Sequence, residues 1–122
     1  MSFHLSLPVR SLEETRTFFV TGLGATLEHE DPAGYINIDF HGAKLTFHER
    51  PDMAEPEATM HFGLNLAVDD FMALAARVES AMPEAIQVPA RVVDAGTDRE
   101  RHKLFVKSPE GYLIELKGMQ GA

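Results

Sequence analysis

Phe3-His4-Leu5-Ser6-Leu7-Pro8-Val9-Arg10-Ser11-Leu12-Glu13-Glu14 carries two periods in succession. Phe3, Leu5, Leu7 and Val9 alternate with His4, Ser6 and Pro8, which is the period of a strand with one buried face. Ser11 and Glu14 then form a capping box, and Leu12, Thr15, Phe19 and Leu23 follow at helical spacing until Gly22 and Gly24 end the helix. The same order returns in His61-Phe62-Gly63-Leu64-Asn65-Leu66-Ala67-Val68-Asp69-Asp70-Phe71. There Phe62, Leu64, Leu66 and Val68 alternate, Asp69 or Asp70 is placed to cap, and Phe71, Leu74, Ala75, Val78 and Met82 mark a second amphipathic helix.

Three strand-like runs follow each helix. In the first half they are 25–30, 35–40 and 43–49, separated by Asp31-Pro32-Ala33-Gly34 and by His41-Gly42, both with turn chemistry. In the second they are 86–93, 103–107 and 112–117, with a polar loop over 94–101 and the turn Ser108-Pro109-Glu110-Gly111. The halves share local text, since Val9-Arg10-Ser11-Leu12 answers Val68-Asp69-Asp70-Phe71 and Gly42-Ala43-Lys44-Leu45 answers Gly111-Tyr112-Leu113-Ile114. The acidic, proline-containing stretch 51–58 lacks periodicity and reads as a linker. The expected architecture is α+β, two tandem βαβββ modules at about 1–50 and 59–118, joined into one domain. One helix covers one face of each four-stranded sheet, so each module leaves a face uncovered.

With 122 residues, 44% of them hydrophobic and 25% charged, the chain suits one ordinary globular domain. It has no cysteine, which removes disulfides, thiolate ligands and thiol nucleophiles and leaves histidine and carboxylate as the strong metal ligands. Eleven basic against 19 acidic side chains give a net charge of −8, which opposes binding to nucleic acid or anionic membranes. No apolar run approaches the roughly 20 residues that span a bilayer, and Met1-Ser2-Phe3-His4 has no basic head before an apolar stretch, so a cytoplasmic protein is expected.

Alternation assigns the uncovered faces residue by residue. They carry His4, Ser6 and Pro8; Lys44, Thr46 and His48; His61, Gly63 and Asn65; and Leu113, Glu115 and Lys117. A single strand histidine is most simply a polar surface residue, and His29, His41 and His102 read that way, the first two at turns and the third beside a basic run. His4, His48, His61 and Glu115, by contrast, fall on the first and last strands of the two modules. Three imidazoles and a carboxylate form a donor set for one divalent ion: zinc, iron, nickel or manganese. Tyr35, Asn37, Asp39, Arg91, Lys103 and Phe105 are the further candidates facing the same way. Of these, Arg91 is the first expected to hold a substrate carboxylate or phosphate.

The chain resembles the vicinal oxygen chelate superfamily of glyoxalases, extradiol dioxygenases, fosfomycin thiol transferases and bleomycin-binding proteins. The resemblance rests on His4-Leu5-Ser6-Leu7-Pro8-Val9 before a capped helix, Phe18-Phe19 with Gly22-Leu23-Gly24, His61-Phe62-Gly63 before Val68-Asp69-Asp70, and Ser108-Pro109-Glu110-Gly111-Tyr112-Leu113-Ile114-Glu115. The last is similar to the family's Asp-Pro-x-Gly-Asn-x-x-Glu signature. It implies paired modules forming a U-shaped cleft, a homodimer, a small-molecule substrate, and metal ligands on the first and last strand of each module, where His4 and Glu115 match directly. Counted from Gly42, the matching residue is Thr46, two before His48. Counted back from Val68, it is Gly63, two after His61. A bulge or shifted register would restore either. Thr46 stands where a typical glyoxalase carries a carboxylate, whereas His4, His61 and Glu115 resemble the His, His, Glu set of extradiol dioxygenases. His48 is then a fourth ligand or a general base. The expected function is a metal-dependent lyase, isomerase or dioxygenase acting on an oxygen-chelating substrate. The alternative is a metal-free small-molecule or antibiotic-binding protein of the bleomycin-resistance kind.

Overall fold

The computed structural model describes every residue from Met1 to Ala122. The chain divides into two units, Met1–Glu55 and Pro56–Ala122. In the first, β1 (His4–Val9), α1 (Leu12–Arg16), β2 (Thr26–Asp31), β3 (Tyr35–Phe40) and β4 (Ala43–Glu49) build a sheet of order β1-β4-β3-β2. In the second, β5 (His61–Leu66), α2 (Val68–Ala81), β6 (Ile86–Val93), β7 (Arg101–Lys107) and β8 (Leu113–Met119) repeat it as β5-β8-β7-β6. In both sheets the first strand pairs parallel with the last and the other pairs are antiparallel. No helix is long and apolar enough to cross a membrane.

The alternating apolar residues of each unit pack under its helix. Phe19 lies 4.8 Å from Phe47, 5.5 Å from Phe40 and 5.2 Å from Phe18, ring centre to ring centre. α1 continues into a π-helical turn, Thr17–Gly22, in which the Leu23 amide reaches the Phe18 carbonyl at 3.0 Å. Phe18 and Phe19 are both buried in that wider turn. In the second unit Phe71, Leu74, Ala75 and Val78 of α2 are buried, as are Leu104, Val106, Ile114 and Leu116 of the sheet. Gly118 is the point of closest approach, since a Cβ there would stand 2.6 Å from Phe71 Cβ.

Four local readings are corrected. Phe3 lies outside β1 and is 64% exposed, because pairing with β4 begins at His4. The α2 cap is Ala67 without a side-chain bond, and Asp69 and Asp70 occupy the first turn, where their charges favour the helix dipole. The chain leaves β5 at Leu66, so Val68 is a helical residue and not the last of the strand. His29, finally, sits within β2 and not at a turn, with Nε2 3.1 Å from Asp31 Oδ2. The β3–β4 hairpin turns on His41 (φ 50°) and Gly42 (φ 104°), as the two-residue connection requires, and His41 Nε2 lies 2.6 Å from the Leu23 carbonyl oxygen.

Candidate functional site

In the second unit, Glu115 is the buried carboxylate of the uncovered face. It is 7% exposed, and its Oε2 has no hydrogen-bond partner. The turn before β8 fixes its position: the Ser108 amide donates to the Tyr112 carbonyl at 2.9 Å, Ser108 Oγ accepts from the Tyr112 amide at 3.0 Å, and Gly111 adopts φ 104°. Directly opposite Glu115 on β5 is Gly63, where a Cβ would stand 1.7 Å from the Glu115 carbonyl oxygen. The backbone approach thus excludes any side chain at the position facing Glu115. His61, one step back on the same face, reaches across instead, with Nε2 3.5 Å from Glu115 Oε1 and its ring 6.2 Å from Phe105. Lys103 Nζ lies 3.6 Å from Glu115 Oε2 and Lys117 Nζ 3.8 Å from Oε1. A cavity of about 240 Å³ opens here, lined by His61, Gly63, Asn65, Glu115 and Lys117 among others. Arg91 of β6 stands opposite Lys103.

In the first unit the uncovered face is polar throughout. The Thr46 hydroxyl donates to Asn37 Oδ1 at 2.8 Å, and Lys44 Nζ lies 3.1 Å from Glu28 and 3.5 Å from Asp39. The Glu28 carboxylate beside Lys44 raises the lysine pKa. At the other end the His48 ring packs 5.6 Å from Tyr35, and Tyr35 lies 6.0 Å from His29. The Ala33 amide and then His29 lower the pKa of Asp31, and Asp31 in turn raises that of Tyr35. His4 is exposed at the start of β1, opposite Lys44, while His48 is opposite Pro8. The two histidines are therefore four residues apart along paired strands, about 13 Å, and this sheet does not bring them together.

The registers also settle the counting. His4 faces Lys44, two before Thr46, and His61 faces Leu113, two before Glu115. His61 thus occupies in its sheet the place of His4 in the other, and Ser6 is the counterpart of Gly63. The two-residue displacement expected for His61 came from matching Val68, a helical residue, to Val9. No bulge intervenes in either parallel pair; the irregularities lie in β2 and β6. His48 does remain two residues beyond Thr46, and its counterpart is Lys117. Sequence reading singled out neither Lys117 nor Gly63 as a site residue. The signal for Lys117 was its spacing of two from Glu115, which puts both on one face.

Residues 2–116 of this pair of βαβββ units match the sequence profile of the Glyoxalase/Bleomycin resistance protein/Dioxygenase superfamily, and the chain belongs to that family. It is similar to a glyoxalase/bleomycin resistance protein/dioxygenase from Alicyclobacillus acidocaldarius, with 28% identity and a TM-score of 0.83 over 98% of this chain and 92% of that one. The fosfomycin resistance protein FosX from Listeria monocytogenes shares the fold at 15% identity, TM-score 0.75, over 97% and 92% of the two chains. A variant of that FosX has been solved with Mn(II) and 1S,2S-dihydroxypropylphosphonic acid. A bleomycin-binding protein, solved with bleomycin, shares the fold at 20% identity, TM-score 0.71, over 98% and 99%. No functionally curated protein matches the chain.

Within neither unit do three His, Asp or Glu side chains gather around one point. What the second unit holds is a two-donor fragment, the imidazole of His61 and the Glu115 carboxylate, whose Oε2 has an ion-pair partner in Lys103 at 3.6 Å but no hydrogen bond. That fragment fits a divalent ion in donor chemistry and leaves the ion's remaining positions to other groups. The two ammonium groups lie beside the carboxylate and end side chains that are 20% and 31% exposed.

Proposed function

We propose that the chain is a divalent-metal-dependent enzyme acting on a small oxygen-chelating substrate, in a lyase, isomerase or dioxygenase reaction. The observation that carries this reading is Glu115: a carboxylate 7% exposed, with one oxygen lacking any hydrogen bond, faces an imidazole across a parallel strand pair. Lys103 Nζ, 3.6 Å from that oxygen, compensates its charge without a hydrogen bond, so part of the cost of burying the acceptor stands and ligation is one way for a fold to recover it. His61 and Glu115 are the proposed ligands in the second unit, and His4, the counterpart of His61, is proposed as a ligand on the first unit's sheet. Iron, zinc, nickel and manganese all suit this donor set. An ion held there supplies Lewis-acid stabilisation of negative charge on a substrate oxygen.

The chain's own residues do the rest. His48, whose ring packs against Tyr35 in the first unit, is proposed as a further ligand or as the group that accepts and returns a proton. Glu115 is the second candidate for that role at the ligand cluster. Asn37 and Asp39 offer polar contacts, Arg91 and Lys103 positive charge, and Phe105 an apolar wall. We further propose that the two units act as one domain, in a homodimer, in the cytoplasm.

The ion pairs of Glu115 with Lys103 and Lys117 favour a second reading, a metal-free binding protein of the bleomycin-resistance kind, in which the lysines keep the carboxylate compensated permanently. Elemental analysis of untagged protein, purified without chelator and reloaded with each of the four ions, separates the two. The enzyme reading expects near one ion per chain, lost on Glu115→Gln or His61→Ala. Protein that holds no ion under any loading supports the second reading instead.

A further inference from the structure

The uncovered face of the second unit differs in charge from the rest of the chain. Residues directly opposite one another in a sheet project on the same side. The register runs Arg91 opposite Lys103, Lys103 opposite Lys117 and Lys117 opposite Asn65, so one row crossing all four strands holds three cations and an amide. The next row, two residues away on β5, β7 and β8 and three away on β6 across its register shift, holds Gly63, Phe105, Glu115 and Val88. In a chain of net charge −8, cations are thus concentrated on one sheet face, and two pairs of them stand in direct cross-strand opposition. Like charges in that arrangement destabilise a sheet. One carboxylate answers them, Glu115 in the adjacent row, 3.6 Å from Lys103 and 3.8 Å from Lys117. It offsets one charge of three. Packing does not require the row either, since the side chains of Lys103 and Lys117 remain 20% and 31% exposed and Arg91 is exposed.

We propose that the row Arg91–Lys103–Lys117 receives an oxyanion of the ligand, a carboxylate or a phosphate, with the Asn65 carboxamide donating at its end. This rests on reading the uncovered face as the ligand site and narrows the substrate class to small anionic oxygen compounds. Two ammonium groups supply charge that adapts to the position of the anion, and the guanidinium supplies a fork of parallel donors. A bound oxyanion relieves both like-charge oppositions. Glu115 repels an anion placed directly over it, so the anion is directed to the row while the rest of the ligand extends toward His61 and Phe105.

The test uses isotope-labelled protein stripped of metal with a chelator, which keeps it independent of metal binding: its failure would leave the metal reading standing, and a metal-free protein would leave this proposal standing. Inorganic phosphate and malonate are titrated separately at low ionic strength, and amide shifts are followed. Saturable shifts at residues 65, 91, 103 and 117 are expected. Lys103→Gln, Lys117→Gln and Arg91→Gln should each weaken binding by about fivefold to tenfold, the effect of one charge-assisted contact on a partly exposed site. Arg99→Gln, a cation outside the row, should leave it unchanged. Tighter phosphate assigns a phosphate-bearing ligand and tighter malonate a carboxylate. In anion-free buffer, Arg91→Gln should raise the midpoint of thermal unfolding, because it removes a repulsion; a structural role would lower it. The proposal is overturned if neither ion saturates below about 50 mM, a binding energy too weak for a receptor, if the row variants bind as the parent does, or if Arg91→Gln lowers the midpoint.

Discussion

Gly63 and Asp31 show two ways in which single residues hold this fold to its chemistry. A methyl group at Gly63 would meet the Glu115 carbonyl oxygen at 1.7 Å, so the strands must part or β5 must shift. Gly63→Ala should therefore lower unfolding free energy by about 1–3 kcal/mol, the usual range for overpacking, measured by urea denaturation, and loosen His61 from Glu115. An unchanged midpoint would mean that the strand pair is less tightly fixed than its register implies. Asp31 acts through charge. Its pKa is lowered first by the Ala33 amide and then by His29, so its contribution to stability is present above the ordinary aspartate value and is lost as pH falls through the lower folded value. Asp31→Asn should flatten the pH dependence of unfolding below about pH 4; a parent-like acid limb would remove Asp31 from the account. Neither residue was conspicuous in the sequence. Gly63 resembles any strand glycine until its partner is known, and partner identity depends on register, a long-range property.

At the scale of elements, the two helices use opposite ends of the capping repertoire. Ser11 Oγ accepts from the Glu14 amide at 3.2 Å, whereas Ala67 caps α2 with no side-chain bond. Ser11→Ala should cost about 1 kcal/mol and Ala67→Ser should gain a comparable amount; thermal unfolding of the two variants, shifting in opposite directions, checks the pair. Phe19 ties the π-helical turn to β3 and β4, so Phe19→Ala should cost about 3–5 kcal/mol, measured in the same way. Strands and helices were legible in the sequence because alternation, the Ser11 cap and the His41-Gly42 turn are local signals. The place where β5 becomes α2 was not, since Leu66-Ala67-Val68 continues the strand alternation and only pairing with β8 ends the strand at Leu66. That one error carried into the site: with Val68 counted as strand, His61 looked displaced, although the register makes it the counterpart of His4.

At the scale of the whole molecule, the duplicated topology provides two polar sheet faces with different equipment. The first has Thr46 bonded to Asn37 and a His48–Tyr35 pair; the second has Glu115, His61 and a row of cations. Duplication explains why a donor is expected at Thr46, the position that matches Glu115 in the other sheet. Metal binding to the folded state should also stabilise it, by about 2.7 kcal/mol at a hundredfold excess over the dissociation constant; a thermal shift with Mn(II) that disappears in Glu115→Gln is the expected result. The most direct test of the central claim is the site of that binding. Substoichiometric Mn(II), added to isotope-labelled protein, should broaden the amide resonances of His61, Gly63 and Glu115 before those of β2 and β6, and Glu115→Gln should abolish the effect. Broadening centred on another part of the chain, or none at all, would contradict the assignment of Glu115 and His61 as metal ligands.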